Sequence, residues 1–119
     1  MMRTRYADIE SYQTKDGSFI KELMHPGTQH NKNQSLAEAI VPPGQITALH
    51  KHHETEEIYY ITQGTGRMTL GAQQFDVQPG DSICITPGTA HCIENTASEN
   101  LHILCCCSPA YSHEDTELL

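Results

Sequence analysis

Tryptophan is absent from this chain, phenylalanine occurs only twice, and 7 Lys and Arg stand against 15 Asp and Glu. The resulting net charge of −8 sets aside nucleic acid and anionic membrane surfaces as main partners. No apolar run approaches the roughly 20 residues needed to cross a bilayer, and the start, Met1-Met2-Arg3-Thr4-Arg5-Tyr6, lacks an apolar signal core. A soluble, cytoplasmic protein is the expectation. No pair among Cys84, Cys92, Cys105, Cys106 and Cys107 has C-x-x-C spacing, and their number is odd. That excludes a zinc ribbon and argues against a disulfide framework, leaving small buried side chains in a reducing compartment. Helical apolar periodicity is missing as well.

What is present is a succession of short extended segments punctuated by turns. Pro42-Pro43-Gly44, Gly64-Thr65-Gly66, Pro79-Gly80-Asp81 and Pro87-Gly88-Thr89 separate runs such as Ile58-Tyr59-Tyr60-Ile61 and Leu101-His102-Ile103-Leu104. At 119 residues this predicts one all-β domain, a sandwich or barrel. The spacing assigns residues 35–119 to the barrel. Residues 1–34 form an amino-terminal strand and loop segment packing on the barrel or on a partner subunit, its strand covering Ser18 to Met24. His25 and His30 lie there without a partner at ligand spacing. Ser108 to Leu119 reads as an ordered or fraying surface segment.

The chemistry concentrates between Gly44 and Gly64. Gln45 to His52 reads as a strand with Ile46, Ala48, His50 and His52 on one face, because alternate side chains share a face. The two imidazoles can then reach one ion. Glu57 heads the next strand and a short turn returns it alongside, whereas His53 faces away. Tyr59 and Ile61 share the parity of Glu57 and face the cavity; Tyr60 points out. A fourth ligand has to come from elsewhere in the chain.

His91 lies in Gly80-Asp81-Ser82-Ile83-Cys84-Ile85-Thr86-Pro87-Gly88-Thr89-Ala90-His91-Cys92-Ile93-Glu94-Asn95. With this run the chain resembles the cupin superfamily. The first cupin motif, G-x5-H-x-H-x3–4-E-x6-G, is matched by Gly44, His50, His52, Glu57 and Gly64. The second, G-x5-P-x-G-x2-H-x3-N, is matched by Gly80, Gly88, His91 and Asn95, with Thr86 in place of the first proline. The resemblance implies an antiparallel jelly-roll barrel holding one divalent transition metal on His50, His52, Glu57 and His91. Imidazoles with one carboxylate suit Mn, Fe, Ni, Co or Zn, with Mn or Fe favoured, and leave positions open for a ligand.

Tyr59 and Cys105 are the candidate catalytic, cavity-lining residues. Leu101, Ile103, Cys105 and Cys107 share one parity of the last strand; the opposite parity turns Cys106 inward. The bland alternative for both candidates is packing. Cupins include oxygenases, isomerases, decarboxylases and simple binding proteins, so fold leaves the reaction open. The apolar lining read from Ile46, Ala48, Ile61 and Ile93 favours an oxygenase-type metalloenzyme acting on a small chelating molecule. A sugar or sugar-phosphate isomerase would need Lys51 or Arg67 at the site, and a non-catalytic metal-dependent binding protein is the third possibility. A homodimer is expected, with Phe19, Ile20, Leu23 and Met24 available to cover a sheet edge.

Overall fold

A computed structural model describes residues 2–119. A single 3-10 turn, Tyr6–Asp8, precedes the strands β1 (Tyr12–Gln13), β2 (Phe19–Met24), β3 (Ser35–Val41), β4 (His50–His52), β5 (Glu56–Gln63) and β6 (Gly66–Leu70). They continue with β7 (Gln73–Val77), β8 (Ser82–Ile85), β9 (His91–Asn95), β10 (Leu101–Ser108) and β11 (Thr116–Leu118). A six-stranded sheet, ordered β1-β2-β3-β10-β5-β8, faces a five-stranded one, ordered β11-β4-β9-β6-β7. All the pairings are antiparallel, the arrangement of a jelly roll. Among the described residues no helix is long and apolar enough to cross a membrane.

Strict alternation builds the interior. In β5, Glu57, Tyr59 and Ile61 are buried while Ile58 and Tyr60 are exposed, and in β10 Leu101, Ile103, Cys105 and Cys107 point inward with Cys106 outside. Apolar packing occupies one end of the barrel, where Ile61, Met68, Ile93, Leu101 and Ile103 are essentially sealed from solvent. Asn95 closes that end. Its Nδ2 donates to the Val41 and Glu99 carbonyls at 2.8 and 2.7 Å, and its Oδ1 accepts from Ala97 N at 2.9 Å. Gly64 has φ +86°, and a Cβ there would lie 2.7 Å from the Asn100 carbonyl oxygen, so the turn into β6 requires glycine.

Two features differ from the sequence expectation. The strand leading to the histidines is regular only over His50–His52, and Ile46 and Ala48 are exposed rather than inward. The cause is a tertiary contact: Ala48 N donates to Asp16 O at 2.8 Å instead of to a neighbouring strand. Thr47 is buried instead, its Oγ1 accepting from Ile93 N. Second, the carboxyl-terminal segment is ordered and not confined to the surface, because β11 pairs with β4 and buries Thr116 beside His52. β2 pairs with β3, and Ile20 packs on the core of its own chain, one of the two placements expected for the amino-terminal segment.

Candidate metal centre

His50 and His52 stand two apart on β4, and His91 opens β9 directly opposite His50. The pairing brings three imidazoles together, with one nitrogen from each lying within 4.8 Å of the others. Glu57, from the start of β5 in the other sheet, closes the group with Oε1 3.3 Å from His52 Nε2 and 3.6 Å from His91 Nε2. All four residues are at most 5 % exposed.

Tautomers are set by what the outer ring nitrogens meet. His50 Nδ1 lies 2.8 Å from the Ala48 carbonyl and His91 Nδ1 2.9 Å from the Thr89 carbonyl, and a carbonyl can only accept. His52 Nδ1 lies 2.9 Å from Thr116 Oγ1, whose own hydrogen goes to Ser112 O, so here too the imidazole donates. With the neutral rings protonated at Nδ1, their Nε2 lone pairs point into one space. Burial, then the neighbouring His91, holds His50 below its ordinary pKa and favours that neutral form. For Glu57, burial alone would raise the pKa, but when His52 and His91 carry a proton on Nε2 as well they outweigh it and hold the carboxyl down at about 2.

A divalent ion fits this donor set. Glu57 Oε1 and His91 Nε2 are fully buried with no hydrogen-bond partner, and such orphaned groups are costly unless something binds them. Around an ion with bonds of about 2.1 Å, donors lie roughly 3.0 Å apart in adjacent positions and roughly 4.2 Å in opposite ones. The observed 3.3 and 3.6 Å fall within that range.

The group opens onto a cavity of about 50 Å³, room for a ligand of a few heavy atoms. Its wall includes Ile20, Ala37, Ala39, Tyr59, Cys105 and Tyr111. The Tyr59 ring centre is 6.1 Å from that of His91, and among the described residues its hydroxyl has no hydrogen-bond partner. Burial, reinforced by the negative Glu57, pushes the Tyr59 hydroxyl and the Cys105 thiol well above their ordinary pKa values, so both keep their protons. Cys107 reaches the site from behind, its Sγ donating to Glu57 Oε2 at 3.4 Å.

Other candidates lie elsewhere. His53 pairs at the surface with Glu117, 3.1 Å away, and His25 is engaged by Tyr111 O and Gly27 N. Arg67 is bound to Asp76 on an exposed hairpin. Sequence reasoning missed Asp16, Tyr111 and Thr116, all of which line the cavity. Asp16-Gly17 signals only a turn in the sequence, and nothing in the spacing of Tyr111 or Thr116 points to the site.

The cupin-domain family profile matches residues 37–107. An uncharacterized protein of Methanocaldococcus jannaschii is 56% identical over 119 residues, covering 100% of this chain and 95% of that one. The mannose-1-phosphate guanylyltransferase RfbM of Salmonella typhimurium is 30% identical over 100 residues; the alignment covers 80% of this chain but only 21% of that enzyme. Among solved structures, a predicted oxalate decarboxylase from Thermotoga maritima superposes with a TM-score of 0.78 at 30% identity, over 91% of this chain and 99% of that one. With both motifs placed on one barrel and the family profile spanning more than half of its residues, this chain belongs to the cupin-domain family.

Proposed function

We propose that this chain is a metal-dependent cupin acting on a small uncharged molecule that chelates the ion through two oxygens, as a 1,3-dicarbonyl, enol or catechol does, and that it works as an oxygenase-type enzyme. The observation that carries this is the convergence of three Nε2 lone pairs and the Glu57 carboxylate on a narrow cavity without a free cation. Mn or Fe(II) suits the mixture of imidazole and carboxylate, and when bound supplies Lewis acidity and a site for oxygen.

The residues divide the remaining work. Ile20, Ala37 and Ala39 exclude water from one side of the cavity. Tyr59, protonated and without a partner, offers its hydroxyl to a ligand oxygen. Cys105, also protonated, forms part of the wall. Lys15 is the one Lys or Arg among the described lining residues, and its Nζ is engaged by the His113 and Thr116 carbonyls at 2.8 and 3.1 Å.

That electrostatic balance separates the alternatives. A sugar phosphate needs cationic side chains beyond the ion itself, whereas this cavity sets Lys15 alone against Asp16, Glu22 and Glu57. Lys51 lies between two inward histidines, opposite Glu117 in the β4–β11 register, and does not line the cavity. The test is oxygen uptake by Fe(II)- or Mn(II)-loaded protein with pentane-2,4-dione and with catechol, alongside ligand-induced changes in the metal spectrum. Uptake supports the oxygenase. Spectral binding without uptake leaves a metal-dependent binding protein, and tight binding of oxalate or a sugar phosphate instead overturns the uncharged-ligand assignment.

A further inference from the structure

The two sheets turn different outer faces away from the barrel. On the five-stranded sheet the outward positions carry Lys51, Arg67, Asp76, Glu94 and Glu117, the polar face of an antiparallel sheet that meets water. On β3, β10, β5 and β8 of the six-stranded sheet they carry Leu36, Leu104, Cys106, Ile58, Tyr60 and Cys84. Strand register makes these one patch. Cys106 stands opposite Leu36 on one side and Ile58 on the other, Ile58 stands opposite Cys84, and Leu104 opposite Tyr60. Ile58 and Tyr60 keep 43 % and 44 % of their surface exposed, and both cysteines are exposed as well.

Charge is absent from the middle of this face. Glu38, opposite Leu104, is 9 % exposed, and its carboxylate is taken up by the Tyr6 hydroxyl and by His102 Nδ1 at 3.2 Å. Glu56 beside Ser108 at one end and Thr62 at the other supply a polar rim. An apolar face of this kind marks a protein contact, and two properties select a second copy of this chain as its occupant. With a net charge of −8, two copies repel wherever acidic groups meet, and here they do not meet. The extent also suffices. β2, β3, β10, β5 and β8, about 4.8 Å apart, with the 8 residues of β10 at about 3.3 Å each, span roughly 600 Å². Two such faces cover roughly 1,200 Å², where stable pairs begin.

We infer that two copies of this chain pair sheet to sheet about a twofold axis through the outer face of β3, β10, β5 and β8, with Ile58, Tyr60 and Cys106 at the centre. A flat apolar sheet face is complementary to its own image, since two such faces interdigitate side chains across about 10 Å. Phe19, expected from the sequence to cover a sheet edge, lies at the margin of this face, and Ile20 is turned into its own core.

The experiment is sedimentation velocity on the full chain, on Ile58→Glu and Tyr60→Arg, and on Gln74→Lys as a control from the charged face. Wild type and Gln74→Lys sediment at twice the mass of one chain. Folded Ile58→Glu and Tyr60→Arg pair at least about thirtyfold more weakly, the cost of losing one central anchor. Cys84 and Cys106 give a second readout in unaltered protein, because both are exposed on a single chain and covered in the pair. A maleimide then labels Cys106 at least about tenfold more slowly in native than in urea-unfolded protein. That readout decides the matter should the variants fail to fold. A wild type that sediments as one chain, folded variants that stay paired as tightly as wild type, or a Cys106 labelled as fast in native as in unfolded protein overturns the inference.

Discussion

His52 Nδ1 donates to Thr116 Oγ1 across 2.9 Å, joining residues 64 positions apart. Thr116 Oγ1 in turn donates to Ser112 O at 2.9 Å, so the threonine has only an acceptor to offer the ring. The carboxyl-terminal strand therefore holds His52 in the tautomer that presents Nε2 to the cavity. Replacing Thr116 with Val removes the acceptor with little change of volume. Metal affinity falls roughly 10–100-fold, the usual cost of losing such a partner, as measured by chelator competition. Unchanged affinity would show that the tautomer is set without Thr116.

Glu57 predicts an acid-sensitive metal-free state. Its folded pKa of about 2 lies below the ordinary 4.5, so its contribution is complete above 4.5 and disappears as pH falls through 2. Urea unfolding of metal-free protein across this window shows a steeper loss for wild type than for Glu57→Gln. Parallel pH profiles contradict the assignment.

Tyr59→Phe removes the hydroxyl and keeps the ring that packs near His91. Metal content stays the same, while pentane-2,4-dione binds the metal-loaded protein about tenfold more weakly, the worth of about one hydrogen bond. Titration followed by the metal spectrum reads this directly. Equal affinity reduces Tyr59 to a wall residue.

Asn95→Ala tests the second motif's structural part. Three hydrogen bonds disappear from a residue with no exposed surface, leaving the Val41 carbonyl among the groups without its partner. Stability falls by about 3 kcal/mol in urea unfolding, and the folded fraction still binds metal. A loss below about 0.5 kcal/mol would mean that water replaces the side chain without cost.

The sequence makes some of these features easier to read than others, for physical reasons. Alternation in Glu57-Ile58-Tyr59-Tyr60-Ile61 follows from the two-residue period of a strand, and the histidines are readable because their spacing is local. The same rule failed at Ile46 and Ala48, where Asp16 O captures the Ala48 amide and interrupts the ladder. Asp16 and Thr116 reach the site only through tertiary pairing of the chain's two ends with β4, and no local pattern encodes such a contact. Cys105 and Cys106 could be ordered only once β10 paired with β3 and β5.

Metal analysis of protein purified without an affinity tag tests the centre most directly. Wild type carries about one Mn or Fe per chain, as one donor cluster implies, whereas His91→Ala and His50→Ala carry almost none while keeping their β-sheet circular dichroism. Full metal content in either variant, or a wild type that stays metal-free when Mn(II) and Fe(II) are supplied, would contradict the assignment of this site.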